Sequence, residues 1–186
     1  MHRIFIAADI SDKARSRVAE HIRLLKSIGD FHGFKPVRPE NLHLTLKFLG
    51  DTDDAALEKV QQAAALTASL SRAAAITIAG TGVFPAGRAG QTLWIGVDDA
   101  TGKLAELAER LDANLANIGF PRERRRFSPH LTVGRIREGG RQIVVAHRDA
   151  QFRPEGFVVS EIVLYESKLL PTGPVYSKLD AFPLAG

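Results

Sequence analysis

Two stretches of this chain repeat one tripeptide, His43-Leu44-Thr45 and His130-Leu131-Thr132. With six His and nine Thr among 186 residues, chance predicts roughly 0.03 such triplets per chain, so the pair calls for a physical reason. Two imidazoles can do acid–base work at a phosphorus atom without a metal. One neutral ring takes a proton from water while a protonated one gives a proton to the departing oxygen. Histidine suits both tasks because its ordinary pKa of ~6.5 keeps both forms accessible near neutrality. Threonine hydroxyls can donate hydrogen bonds to the non-bridging oxygens, whose charge must be stabilised in the transition state.

Both copies sit in short apolar runs, HLTLKFLG and HLTVGRI, that read as β-strands. Strand side chains alternate between faces. Alternation puts His43, Thr45 and Lys47 on one face and Leu42, Leu44, Leu46 and Phe48 on the other. In the second copy His130 and Thr132 lie opposite Leu131 and Val133. Apolar backs against helices would leave two polar fronts facing a cleft. One His-x-Thr alone would read as a half-buried strand histidine; the matched pair reverses that. A zinc site is the weaker reading, because two His are too few ligands and no His-x-x-x-His or acidic pair completes a set.

The elements that must position these strands follow along the chain. Arg3–Asp9 reads as a strand, and Ser11 or Asp12 can cap a helix with Val18, Ile22 and Leu25 at helical spacing. Residues 29–39 read as a loop, then comes the first motif strand from Leu42 to Leu49. A helix from Asp53 to Leu70 is capped by Thr52 or Asp53. Ala74–Val83 and Gln91–Asp98 form a hairpin across the turn-rich residues 85–90. Thr101 or Asp99 opens a third helix whose face is Leu104, Leu107, Ala108, Leu111 and Leu115. The second motif strand runs from His130 to Ile136, with a turn at 139–140. Gln142–His147, Phe157–Leu169 and Val175–Phe182 read as strands. Paired strands with helices between them indicate α+β with mostly antiparallel sheet. The motifs lie 87 residues apart, which suggests two similar lobes, one motif each, related by an approximate twofold axis with the active-site cleft between them.

Composition narrows the class. The chain has no cysteine, which removes disulfides, thiolate metal sites and thiol nucleophiles. The N-terminus lacks a signal-peptide pattern and no run is long enough to span a membrane, so a soluble cytoplasmic protein is expected. Of the 25 cations 17 are arginine, in a net charge of +4. Arginine's planar fork suits phosphate, but this balance alone does not argue for nucleic acid.

The stretch VRPENLHLTLKFLG, with FSPHLTVGR, resembles the two HxT motifs of the 2H phosphoesterase superfamily. RIFIAADI, GVFP followed by LWIGV, and LYESKLLPTGPVYSKLDAFPL are similar to the RNA 2',3'-cyclic phosphodiesterases, also called 2'-5' RNA ligases. The likeness covers essentially the whole chain, 1–186, as a single domain. It implies a metal-independent, cofactor-free opening of a terminal RNA 2',3'-cyclic phosphate to a 2'-phosphate by a monomer. His43 would be the proton donor to the 3' oxygen and His130 the proton acceptor from water, with Thr45 and Thr132 holding the phosphate. Arg135 resembles the family's post-motif arginine, although regular alternation puts it on the Leu131 face, so that a twist or a bulge is needed for it to reach the site. Val37 departs from the family pattern, where an aromatic residue often stands.

Around this core, Arg124, Arg125 and Arg126 read either as RNA-backbone contacts or as a solvated loop. Lys47 could meet phosphate or reach into water. Phe48 and Trp94 read as core, Tyr176 and Ser167 as packing and turn residues, and His2, His21, His32 and His147 as surface or structural. Gly80, Gly82 and Gly87 make no phosphate loop. The competing functions are the same chemistry on 2'-5'-linked or small cyclic nucleotides, including reversible ligation, and a catalytically silent RNA-binding module.

Overall fold

A computed structural model describes residues 1–28, 33–85, 91–137 and 140–186. The elements are β1 (His2–Asp9), α1 (Asp12–Ser27), β2 (Phe34–Pro36), β3 (His43–Thr52), α2 (Asp54–Ser69), β4 (Ala74–Phe84) and β5 (Gln91–Asp98). They continue with α3 (Lys103–Ala116), β6 (His130–Ile136), α4 (Arg141–Asp149), β7 (Glu155–Val159), β8 (Glu161–Leu170) and β9 (Gly173–Pro183). The strands form two sheets of orders β3-β1-β8-β9 and β2-β6-β5-β4-β7. Every pairing between named strands is antiparallel. Each sheet holds one motif strand, as the spacing of the tripeptides led us to expect.

The helix starts follow from side chains that accept otherwise unpaired amides. Ser11 Oγ accepts from the Ala14 amide, Asp53 Oδ1 from Ala56, and Asp99 Oδ2 from Ala105. The apolar stripes bury as their spacing requires: Ala14, Val18, Ile22 and Leu25 on α1, and Leu104, Leu107, Ala108, Leu111 and Leu115 on α3. The helices are exchanged between the sheets. α1 follows β1 of the four-stranded sheet and leads to β3 only through β2, an edge strand of the five-stranded sheet; it packs with α4 against that five-stranded sheet. α3 joins β5 to β6 of the five-stranded sheet, yet packs on α2, which lies against β8 and β9, and itself touches β3 of that sheet as well as β4 of its own. With β2 set aside, the runs β1-α1-β3-α2 and β5-α3-β6-α4 are thus topological counterparts, and they clasp the two sheets together.

Three expectations need correction. Gln142–His147 is not a strand but the middle of α4. Its β-branched Ile143, Val144 and Val145 favour strand locally, but Ile143, Val144 and His147 fall on one helical face and all are buried. Phe157–Leu169 is two strands, β7 and β8, which break at Ser160 and belong to different sheets. Residues 29–39 are not loop throughout: Phe34–Pro36 pairs with β6. Residues 86–90 of the expected loop 85–90, residue 139 of the expected turn, and residues 29–32, His32 among them, fall outside the described residues.

Buried polar groups tie the layers. His147 Nε2–H donates to the carbonyls of Gly82 and Trp94 at 3.1 and 3.0 Å, leaving Nδ1 to accept from His21 at 2.8 Å. Burial and its partner ring push His21 down to about 4, so it stays neutral. Lys47, only 4% exposed, turns away from the His43 face. Its Nζ donates to Asp112 Oδ1 and the Pro121 carbonyl, both at 2.7 Å. Asp112 also meets Arg122 Nε at 2.7 Å and accepts from the Glu123 amide. Neither reading of Lys47 as a phosphate ligand or a solvated cation survives; it is an internal anchor.

Removing Asp112 leaves the buried Lys47 charge with only the Glu123 carboxylate, 3.3 Å away and 59% exposed, to answer it. Asp112→Ala should lower the unfolding free energy by about 3 kcal/mol, measured by urea denaturation. Lys47→Met should cost clearly less, because Arg122 remains beside Asp112 and the apolar chain refills the space. Equal losses in the two variants would contradict this assignment. Lys47 and Arg122 outweigh the opposing effect of burial and hold the Asp112 carboxyl below its ordinary value. Its contribution is therefore present above the ordinary carboxylate pKa and disappears as acid protonates the folded form.

Candidate active site

Both motif strands alternate as their leucines demand, but only up to a bulge. In β3, Ala7 pairs with Thr45 and Ile6 with Lys47, so Leu46 is the extra residue. A bulge reverses the order of faces beyond it. Leu42, Leu44 and Leu46 are buried, Lys47 goes inward with them, and Phe48 emerges on the His43 side, 51% exposed. Its expected place in the core is therefore wrong. In β6 the same device operates: Trp94 pairs with Thr132 and Leu93 with Gly134, leaving Val133 over. Leu131, Val133 and Ile136 are buried, and Arg135 comes out with His130 and Thr132. Of the twist or bulge that Arg135 required, the bulge is present.

The two histidines are held alike. His43 Nδ1–H donates to the Asn41 carbonyl at 2.7 Å, and His130 Nδ1–H to the Ser128 carbonyl at 2.8 Å. With Nδ1 committed as a donor, Nε2 is the nitrogen free to exchange a proton in each ring. His43 Nε2 accepts from the Thr45 hydroxyl at 3.0 Å. His130 Nε2 makes no hydrogen bond among the described residues. Strands β3 and β6 lie close enough for their Cα atoms to come within 8 Å.

Their connection is direct. The Val37 amide donates to the Val133 carbonyl at 2.9 Å, continuing the β2–β6 pairing, and the chain then turns at residues 39–41 into β3. Arg15 Nη1 holds that turn through the Pro39 carbonyl and, at 3.1 Å, the Leu42 carbonyl. Asn41 Nδ2 donates to the Pro174 carbonyl at 2.9 Å. The turn that supplies the carbonyl for His43 is thus tied to α1 and to the β8–β9 hairpin.

Around His43 stand Phe5, Tyr176 and Tyr165, with ring centroids 4.8, 5.3 and 6.2 Å away. Tyr176 therefore belongs to the site rather than to turn packing alone, while Ser167 is buried as its cross-strand partner. Asp9 lies across from His43 in the β1–β3 register. Its carboxylate accepts from the Tyr165 hydroxyl at 2.6 Å and pairs with Lys178 at 2.8 Å. These partners outweigh its burial and hold Asp9 below the ordinary carboxylate value. Burial together with the Asp9 carboxylate keeps the Tyr165 phenol protonated well above its ordinary range.

On the other side, Phe84 and Trp94 flank His130 at 5.4 and 6.4 Å. Trp94 is half-buried on the His130 face rather than in the core. The charge of Arg135 opposes the rise that burial causes in the Tyr176 pKa, so a cation of the five-stranded sheet acts on a residue beside His43. Arg124, Arg125 and Arg126 are exposed on the segment before His130. His2 is elsewhere, between Glu166 and Asp54 at 2.8 Å each. Asp9, Arg15, Tyr165 and Phe84 were not singled out from the sequence. Only Asp9, at the end of a strand, left a local trace.

Burial lowers the His43 pKa below 6.5, against the Asn41 carbonyl and the Asp9 carboxylate, which both favour the imidazolium. Asp9→Asn removes one of those opposing influences. We expect the His43 Cε1–H resonance to titrate with a midpoint below 6.5 in the native protein and lower still in Asp9→Asn. An unchanged or raised midpoint in the variant would show that Asp9 does not act on the ring.

The profile of the 2'-5' RNA ligase superfamily matches residues 10–169. The RNA 2',3'-cyclic phosphodiesterase of Archaeoglobus fulgidus is 33% identical over 183 residues, 97% of this chain and 99% of that one. That of Methanothermobacter thermautotrophicus is 34% identical over 185 residues, 98% of each chain. The crystal structure of TT0787 of Thermus thermophilus superposes with a TM-score of 0.82 at 27% identity, covering 99% of this chain and 98% of that one. E. coli LigT complexed with 3'-AMP superposes with a TM-score of 0.77 over 100% and 99% of the two chains; at 23% identity this is a likeness of fold. A match over most of the chain, with relatives a third identical along nearly all of it, places it firmly: the chain belongs to the 2'-5' RNA ligase superfamily of two-histidine phosphoesterases, in its RNA 2',3'-cyclic phosphodiesterase family.

Proposed function

We propose that this protein opens terminal 2',3'-cyclic phosphates on RNA without a metal ion, leaving a 2'-phosphate. His130 is the proton acceptor, taking a proton from the attacking water through Nε2. His43 is the proton donor, giving its Nε2 proton to the departing 3' oxygen. Thr45 and Thr132 hold the non-bridging oxygens, and Arg135 adds a cation to the same face. The whole chain, 1–186, acts as one unit in this reading, a cytoplasmic monomer with RNA as its partner and no cofactor.

The supporting observation is the matched anchoring of the two rings. Each spends Nδ1 on the carbonyl two residues upstream and so turns Nε2 toward its threonine's face. A bound phosphate carries negative charge, which favours the imidazolium of His43 over the neutral ring. Once protonated, a ring whose pKa burial has lowered is the stronger acid toward an alkoxide leaving group.

The test is turnover of an oligonucleotide ending in a 2',3'-cyclic phosphate, with and without EDTA, with the product isomers resolved. We expect undiminished activity in EDTA, a bell-shaped pH dependence of kcat/KM, and a 2'-phosphate product. His43→Ala and His130→Ala should each lower kcat by roughly 10²–10⁴-fold in protein that stays folded. Thr45→Val and Thr132→Val should cost roughly 10²-fold. Full activity in either folded histidine variant would sink the mechanism, and a 3'-phosphate product would show that the 2' oxygen, not the 3' oxygen, departs.

A further inference from the structure

We infer that the five-stranded sheet carries a second anion subsite, built by Lys35 and Arg135, for the phosphoryl group on the 5' oxygen of the processed ribose. The inference rests on the two-histidine reading above. Residues directly opposite one another on antiparallel strands share a face, so the registers map the face that carries His130. Gly96 stands opposite His130, and Trp94 opposite Thr132. Past the bulge, the next rung of that face runs Thr92, Arg135, Lys35, with Arg135 opposite both of the others. The neighbouring pair in the same register, Phe34 and Ile136, is buried on the other face. Lys35 and Arg135 are both exposed, and the partly buried Thr92 adds a hydroxyl donor beside them.

Two cations directly opposite each other across a strand pair repel, which costs the sheet stability. A lysine on an edge strand such as β2 discourages pairing with another sheet, but that purpose does not call for an arginine across from it. An anion held between the two turns the repulsion into paired charge-assisted hydrogen bonds. The charge of Arg135 is felt at Tyr176, so the rung faces the cleft between the motif strands. Its spacing names the ligand. On β5, Thr92 lies two residues from Trp94, one step of the pleat or roughly 7 Å. The Lys35–Arg135 rung is therefore one such step from Thr132. A ribose sets about that span between the phosphorus on its 2' and 3' oxygens and the phosphorus on its 5' oxygen. With Thr132 on the reacting phosphate, the two cations meet the other one.

Three substrates separate the subsites: adenosine 2',3'-cyclic phosphate, the same nucleotide with a 5'-phosphate, and a 3'-5'-linked adenosine dinucleotide ending in a 2',3'-cyclic phosphate. The first has no phosphoryl group on its 5' oxygen, the second carries it as a monoester and the third as a chain diester. Native protein should open the second and third with kcat/KM roughly 10-fold above the first, an advantage that shrinks as salt rises. Lys35→Ala should lower kcat/KM for both roughly 10-fold more than for the first, and Lys35→Arg should restore the ratio. Selective loss on the monoester alone assigns the subsite to a free 5'-phosphate, and selective loss on the diester alone assigns it to the chain. Lys35→Gln replaces the alanine variant if that fails to fold. Equal loss on all three substrates, or no loss on any, overturns the assignment. So does native protein that opens all three alike, with the hydrolytic reading still standing. Native protein inert on all three overturns the hydrolytic reading itself.

Discussion

Each motif histidine depends on one bond, from Nδ1–H to the carbonyl two residues before it. That bond sets the tautomer and the ring orientation together, and it leaves Nε2 of each ring free of that duty. Much of the surrounding structure serves to put those two carbonyls in place. Arg15 and Asn41 tie down the turn that carries one of them, through α1 and the β8–β9 hairpin. Lys47 and Asp112 fasten the Pro121 carbonyl and the Glu123 amide on the segment leading to the other. Lys47 belongs to the first motif strand, so one motif strand secures the approach to the other.

The two bulges have a comparable effect. A regular strand shows only alternate residues to one face, and a motif of His-x-Thr uses two of them. The extra residue at Leu46 turns Lys47 inward and Phe48 outward. The extra residue at Val133 brings Arg135 to the histidine face. An aromatic side chain and a cation are thereby added to a surface whose parity would otherwise have excluded them.

The exchange of helices explains why the lobes cannot be taken apart. α1 leaves the four-stranded sheet after β1 and buries Val18, Ile22 and Leu25 against the other layer, where His21 meets His147; the chain returns to β3 only after β2 has paired in the five-stranded sheet. α3 does the converse with its leucine stripe. Any strain that separates the sheets must expose these helix faces, which couples the relative placement of the two motif strands to the hydrophobic core.

The sequence by itself determined the local features. The cap at Ser11, the leucine face of α3, the antiparallel α+β class and the inward leucines of both tripeptides follow from spacing and side-chain chemistry within a few residues. The positions of His43, Thr45, His130 and Thr132 on one face of their strands were legible because a polar pattern alternates against buried leucines. The tertiary structure alone decided what depends on distant partners. Asp9 meets Tyr165 across 156 positions, and His21 meets His147 across 126. Ile143–Val145 chose helix over strand because burial on one face outweighed the local β preference of branched residues. Bulges belong to the same class: an extra residue exists only relative to a neighbouring strand, and no alternation read along one chain can reveal which residue it will be.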